Sequence, residues 1–379
     1  MKRGILLPLV LCTGLFSGVY APAAEEIVIG GMAALQQGFG QSMQAGSQLA
    51  VEEINAAGGI LGRPIRIVWT DTELSPSTGR TLAQRLIFND RVQFILGCHS
   101  STVVLATAPM MSQNRILNIA MGSAQTVTEQ NNPWIVRVRE NDLLMADVLA
   151  NYMVDELGLT KIACISMSEQ YGIGGKDNLN AALKKKNLEL IAVEAHNIGD
   201  KDFTSQLLSV RRSGAEAVAI VSGVPDLGIM VKQARQLIPN VQIFMSSVGA
   251  TKAFMDVAEE AAVGSYAVCT YTADNPDQKV QNFIAAFQKK HHSPPFDFFS
   301  GLSYDAIYML KQAIDKIGDL SQREKIRDAF KEISDFKGAT GLTYNGKPNG
   351  EMVNELLFIQ YSMEAGNLKH NVIATVTGD

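Results

Sequence analysis

From Glu26 onward, apolar runs of strand length alternate with segments whose apolar residues recur at helical spacing. "IVIGGMA" is followed by "SMQAGSQLAVEEINAAGG", in which Met43, Ser47, Ala50, Val51 and Ile54 share one helical face. Gly58 and Gly59 end that helix, as glycine does at helix C-termini. "IRIVWTD" then predicts a strand, "STGRTLAQRLIFND" a helix, "VQFILG" a strand, "TVVLATAPMMSQN" a helix and "RILNIA" a strand. A second series follows. Its helices are "LLMADVLANYMVDELG", "GGKDNLNAALKKK", "FTSQLLSVRRSG" and "DLGIMVKQARQL", and its strands are "KIACIS", "LELIAVEAH", "AVAIVSG" and "QIFMSS". Late in the chain "VQNFIAAFQKKHH" and "SYDAIYMLKQAIDKIG" return to helix, and "LLFIQYSM" with "VIATVT" reads as a closing hairpin.

Continuous Val/Ile/Ala strands between amphipathic helices indicate parallel sheets covered on both faces. Two such series in tandem predict an α/β protein of two doubly wound, Rossmann-like lobes. In this architecture ligands sit beyond the carboxyl ends of the strands, where loops lead into helices. Gly97–Thr102 and Met121–Ser123 then form the rim of the first lobe. Ser168–Gly172, Ser222–Pro225 and Ser246–Gly249 form the rim of the second, and two facing rims make a cleft.

Length and composition agree with this picture. The 379 residues suit two domains, and 46% hydrophobic with 19% charged residues is a globular balance. The formal charge of −5 would become −7 if Lys2 and Arg3 left with a leader. No basic block or Arg–aromatic interleaving is present, which argues against nucleic acid. "MKRGILLPLVLCTGLFSGVYAPAAEE" has the order of a cleaved secretory signal over residues 1–24: two cations, an apolar run, then small residues. That run is short for a membrane span. Leu11 before Cys12 is bulky where lipid attachment wants a small residue, so a free exported protein is expected. Cys98, Cys164 and Cys269 remain, an odd count in an oxidising compartment, so at least one is unpaired. Cys164 in "KIACISM" reads as a buried strand thiol. These spacings are too wide for the usual zinc site.

The stretch "LGCHSSTVVLATAP" concentrates candidate chemistry. A Ser–His pair could serve a nucleophile, yet no G-x-S-x-G elbow surrounds Ser100 or Ser101 and no motif supplies the orienting carboxylate. His99 reads as a polar residue of the rim. A helix N-terminus there would leave N–H groups unpaired beside a serine hydroxyl, a suitable cradle for an anion.

At "AVEEINAAGGILGRPIRIVWTD" the chain resembles the type I periplasmic binding proteins of ABC transporters, in the leucine/isoleucine/valine-binding branch. "EQYGIGG", "DFTSQLLSVRRSGAEAVAI" and "SYDAIYMLKQAI" fit the same family in the same order. The resemblance implies a three-segment hinge, with lobe one at 25–142 and 271–332 and lobe two at 143–270 and 333–379. It implies a monomeric, periplasmic solute-binding protein that closes on a ligand and docks on a permease, without catalysis, cofactor or metal. A sensor or regulator of the same bilobal fold is the alternative.

The resemblance also implies the site. Ser100 and Ser123 match the residues that hold a ligand carboxylate, with backbone groups of Met121 and Gly122. Phe39, Tyr171 and Phe299 match aromatics around the ligand. Amino-acid binders of this branch pair the α-ammonium with an acid and a nearby ring, where this chain has Val248 and Gly223 or Val224. Glu169 or Asp226 could substitute from neighbouring positions. An ammonium buried without its counter-charge costs several kcal/mol. An oxo or aromatic acid is therefore expected ahead of a branched-chain amino acid. The family disulfide lacks its partner, since Leu74 stands opposite Cys98.

Overall fold

The computed structural model describes Met1 and residues 25–273, 275–295, 297–353 and 355–377. The leader expected at 1–24 lies outside these, apart from Met1. No described helix is long and apolar enough to cross a membrane.

The first series builds a five-stranded parallel sheet from β1 (Ile27–Ala33), β2 (Ile65–Asp71), β3 (Phe94–Gly97), β4 (Leu117–Ala120) and β5 (Ile135–Arg137). Its order is β2-β1-β3-β4-β5. The connections α1 (Gly38–Ala56), α2 (Pro76–Phe88), α3 (Ser101–Asn114) and α4 (Thr126–Glu129) lead from each strand to the next. The predicted face of α1, from Met43 to Ile54, is buried throughout. The strand order reverses between β1 and β3, so the loops after these two strands diverge and leave a crevice. That switch point brings the residues after Ala33 beside those after Gly97.

The second series opens with α5 (Asp142–Asn151), then β6 (Ile162–Met167), α6 (Gln170–Lys185) and β7 (Ala192–His196). It continues through α7 (Thr204–Ser213), β8 (Ala217–Val221), α8 (Asp226–Leu237), β9 (Gln242–Met245), α9 (Lys252–Ala258) and β10 (Tyr266–Cys269). These strands run parallel in the order β10-β9-β8-β6-β7, with the same reversal between β6 and β8. The chain then returns to the first lobe as α10 (Gln278–His291), α11 (Phe298–Ile317) and α12 (Arg323–Lys331). A small ribbon of β11 (Phe336–Lys337) and β12 (Thr343–Tyr344) follows. The closing hairpin is β13 (Glu355–Glu364) with β14 (Asn367–Thr377), antiparallel on the β10 edge of the second sheet.

α1 and α11 pack closely. A Cβ on Gly46 would lie 1.9 Å from the carbonyl oxygen of Ser300, so a larger residue would push the two helices apart. α1 and α6 both begin before their apolar periodicity does, at Gly38 and Gln170. Tyr171 consequently stands in the first turn of a helix.

The third passage between lobes differs from the expected division at 332/333. Ile333, Leu342, Tyr344, Met352 and Val353 all pack in the core of the first lobe. The fastening is Arg137, fully buried on β5. Its Nε donates to Glu351 Oε2 at 3.0 Å and its Nη2 to Glu351 Oε1. Nη2 also donates to Thr128 Oγ1, and Nη1 donates to the carbonyls of Gly122 and Ala124 at 3.1 and 2.7 Å. All five guanidinium donors are used, which is what makes a buried cation tolerable. The chain therefore leaves the first lobe between Val353 and Glu355.

Removing one partner of this pair leaves an uncompensated buried charge, a loss on the order of 3–5 kcal/mol. Glu351→Ala should lower the urea-unfolding free energy by about that amount, and Glu351→Gln by less.

Candidate functional site

Three loop–helix junctions of the first lobe meet at the switch point. The junction after β1 carries Phe39, the junction after β3 carries His99 and Ser100, and the start of α11 carries Phe298 and Phe299. The Phe39 and His99 rings lie 4.2 Å apart between centroids, Phe39 and Phe299 6.2 Å, and His99 and Phe299 6.0 Å. Together they make an aromatic wall. His99, expected as a polar rim residue, is packed into it. Burial, helped by the nearby Arg139 charge, lowers its pKa to about 3, so the imidazole is neutral.

Ser100 is the N-cap of α3 by position, with extended backbone, but its hydroxyl makes no cap bond. It lies 2.9 Å from Thr102 Oγ1. Ser101 turns inward instead, and its Oγ accepts from Ala124 N at 3.1 Å, bracing the loop after β4. In that loop Met121 is already committed: its N–H donates to Cys98 O at 3.0 Å, and its carbonyl accepts from Arg139 Nη1 at 3.3 Å. The Gly122 carbonyl is held by Arg137. Ser123 is buried, and its carbonyl accepts from Asp142 N at 2.9 Å.

The second lobe brings Tyr171 and the loop after β9. The Tyr171 hydroxyl is buried and lacks a hydrogen bond of good geometry. Burial raises its pKa, and the Asp142 charge adds to the rise. Arg139, Glu140 and Ser246 also surround it. Val224 and Val248 are half-buried and packed against the core of the second lobe.

The groups that sequence reasoning missed lie between these two sides. Arg139 is 4% exposed. Its Nε donates to Glu140 Oε1 at 3.2 Å, and its Nη2 donates to the same oxygen and to Ser247 Oγ at 2.7 Å. Ser247 in turn donates to Glu140 Oε1. The guanidinium lies 5.3 and 5.4 Å from the ring centroids of Phe298 and Phe299. Burial works against its charge, and Glu140 more than offsets that, so its pKa is raised. The signal was present in "IVRVRE": two arginines two apart, at the end of a buried strand and just beyond it, must both find acceptors. The spacing does not reveal which acceptors they find.

The two acids considered as substitutes lie elsewhere. Glu169 is exposed at the start of α6 and makes no cap bond. Asp226 is buried within the second lobe, where its Oδ2 accepts from Gly199 N at 2.7 Å and lies 3.9 Å from His196 Nδ1. Glu140 and Asp142 are buried acids at the lobe junction, and Asp297 is buried close by at the start of α11. Cys98, Cys164 and Cys269 are all free and buried. Cys98 Sγ accepts from Ser100 N at 3.4 Å, and burial pushes its pKa up to about 11.

Comparison with known proteins gives the same outline. The profile described as periplasmic binding protein matches residues 28–367. The Leu/Ile/Val-binding protein BraC3 of Rhizobium johnstonii is 26% identical over 357 residues, covering 92% of this chain and 95% of that one. The leucine binding protein LivK of Thermotoga maritima superposes with a TM-score of 0.82 at 23% identity, over 93% of this chain and 99% of that one. A solute-binding protein of R. palustris in complex with 4-hydroxybenzoate gives 0.86 at 18% identity, over 93% and 98%.

Asp142 and Asp297 generate a pH dependence. Burial raises Asp142 from 3.8 to about 6, against Ser123 and Arg139. Burial also raises Asp297, the N-cap of α11, from 3.8 to about 7, against Ser42, the Phe299 and Ser300 amides and Arg139. The folded state thus binds these protons more tightly than the unfolded chain. Their stabilisation is complete below about pH 4 and is lost as pH rises through 6 to 7. Each group contributes at most about 1.4 kcal/mol per pH unit. Between pH 5 and 8 the two carboxyls together lower the unfolding free energy by roughly 4 kcal/mol, while His99, whose lowered pKa works in the opposite sense, returns roughly 2. A net fall of roughly 2 kcal/mol is expected for the ligand-free protein. Asp142→Asn and Asp297→Asn should each flatten that slope in urea melts.

Proposed function

The chain belongs to the periplasmic binding protein family, in the branch of the Leu/Ile/Val-binding proteins, and from that premise we propose that it captures a small carboxylate between its lobes for import by an ABC transporter. Family membership implies a periplasmic location and a permease as partner. Its relatives are solute-binding proteins, not enzymes. The cleaved leader and release as a free monomer are part of this proposal.

The fold alone does not choose the ligand, because one superposing relative is a leucine binding protein and another holds 4-hydroxybenzoate. The residues must choose. We assign the carboxylate to Ser100, Ser123 and the Gly122 amide at the ends of β3 and β4, beside the first turn of α3. Unpaired N–H groups and the positive end of the helix favour an anion there. Phe39, His99 and Phe299 form the wall against which an apolar body lies, and Tyr171 covers it from the other lobe. Val224 and Val248 offer only aliphatic surface.

One observation carries the choice between acid and amino acid: Glu140, a buried carboxylate at the lobe junction, is already bonded to Arg139. An oxo or aromatic acid needs no acidic partner and keeps every other contact. Such an acid is the preferred ligand, ahead of leucine, isoleucine or valine.

Titration calorimetry against branched-chain amino acids, their 2-oxo analogues and benzoates tests this. The best acid should bind at least tenfold more tightly than any of the three amino acids, a difference of about 1.4 kcal/mol. Ser100→Ala with Ser123→Ala should cost that acid roughly 2–4 kcal/mol, since charge-assisted hydrogen bonds are worth about 1.5–3 each and need not add. Sub-micromolar leucine with no comparable acid would refute the reading, and full affinity in the double variant would refute the carboxylate assignment.

A further inference from the structure

We propose that Arg139 is the residue that sets ligand charge at this site: it is a built-in cation seated on Glu140, and it denies that carboxylate to a ligand ammonium. The inference rests on the acid-binding reading above and names its cause.

Arg139 is firmly held. Three of its N–H groups go to Glu140 Oε1 and Ser247 Oγ, and one goes to the Met121 carbonyl. The Phe298 and Phe299 rings lie beside the guanidinium. A guanidinium remains protonated at any physiological pH, so this cation is permanent. Its bond to Met121 O places it beside the loop that carries Gly122 and Ser123. It therefore stands next to the proposed carboxylate position.

Glu140 is the group an ammonium would seek. Its Oε1 takes bonds from Arg139 and Ser247, and its Oε2 is buried without a partner. An ammonium reaching Oε2 would meet a carboxylate whose charge is already balanced, with the guanidinium a few ångströms away. It would lose its hydration and gain little in return. A ligand with an oxo group, or with no α-substituent, avoids that loss. A neutral hydroxyl could also donate to Oε2. Asp142 and Asp297 are the other buried acids near Arg139: Asp142 faces Ser123, Tyr171 and the α6 backbone, where a Cβ on Gly174 would lie 3.5 Å from its Oδ2, and Asp297 is engaged by Ser42 and the Phe299 and Ser300 amides.

Removing Arg139 should convert the site. Arg139→Ala leaves space and an uncompensated Glu140 carboxylate, the arrangement an ammonium prefers. Leucine and 4-methyl-2-oxopentanoate differ only at the α-carbon, so the ratio of their dissociation constants isolates this effect. In Arg139→Ala the ratio of leucine Kd to oxo-acid Kd should fall at least tenfold from the wild-type value. Glu140→Gln added to Arg139→Ala should restore the ratio, whereas Asp142→Asn added instead should leave it lowered. If Arg139→Ala does not fold, Arg139→Gln, which keeps hydrogen-bond donors, should show the same direction. An unchanged ratio in the folded variant, leucine binding still undetectable to the wild-type limit, or a gain that survives Glu140→Gln would overturn the inference. Wild-type protein that prefers the acid while the variants keep its ratio defeats this inference alone. Wild-type protein that prefers leucine, or binds neither compound nor any aromatic acid, defeats the acid-binding reading and this inference with it.

Discussion

The Arg139 guanidinium is bonded to Glu140 from its own lobe and to Ser247 from the other, with the Phe298 and Phe299 rings beside it. Each part of the cleft is positioned relative to this group. Its bond to Met121 O ties it to the loop that ends β4. Its charge helps keep His99 neutral, which allows that ring to pack against Phe39 and Phe299 as an aromatic surface. Ser247 makes the arrangement depend on how the lobes meet, since its hydroxyl completes both the arginine and the glutamate. A buried ion pair gives little net stability against its desolvation cost, so its retention is better explained by specificity. Here it defines which charges a ligand can bring.

Arg137 and Arg139, two residues apart, divide the work. Arg137 has all five donors satisfied inside the first lobe and fixes the loop from Gly122 to Ala124 together with the returning segment at Glu351. Arg139 lies one step further along the crossing, where its partners come from both lobes. The first secures the frame of the proposed carboxylate cradle, and the second gives the cleft its charge. The strand-order reversal supplies the rest, because it opens a crevice at β1 and β3 in one lobe and at β6 and β8 in the other.

Much of this was legible in the chain. Alternating strand and helix periods located both sheets, and the apolar face of α1 is the buried one. Phe39 and Phe299, expected near one another, do meet. The starts of α1 and α6 were not legible, because "GFGQ" and "QYGI" carry no apolar repeat and glycine argues against helix. The passage of the chain after residue 332 was hidden for a different reason. Arg137 and Glu351 are separated by 214 positions, and no local pattern announces such a pairing. The same holds for Ser247, which meets Arg139 across 108 positions. The acids nearest Val248 in its own lobe's rim loops along the sequence are Glu169 and Asp226. The acid that lies against that loop comes from the opposite lobe.

The central claim is that a carboxylate without an α-ammonium lies between the lobes with the Arg139–Glu140 pair intact beside it. A crystal structure of the protein with its tightest-binding oxo or aromatic acid tests this most directly. The account predicts the carboxylate within hydrogen-bonding distance of Ser100 and Ser123, the apolar body against Phe39, Phe299 and Tyr171, and Arg139 still bonded to Glu140 and Ser247. A carboxylate bound elsewhere, or Glu140 released from Arg139 to hold a ligand ammonium, would contradict it.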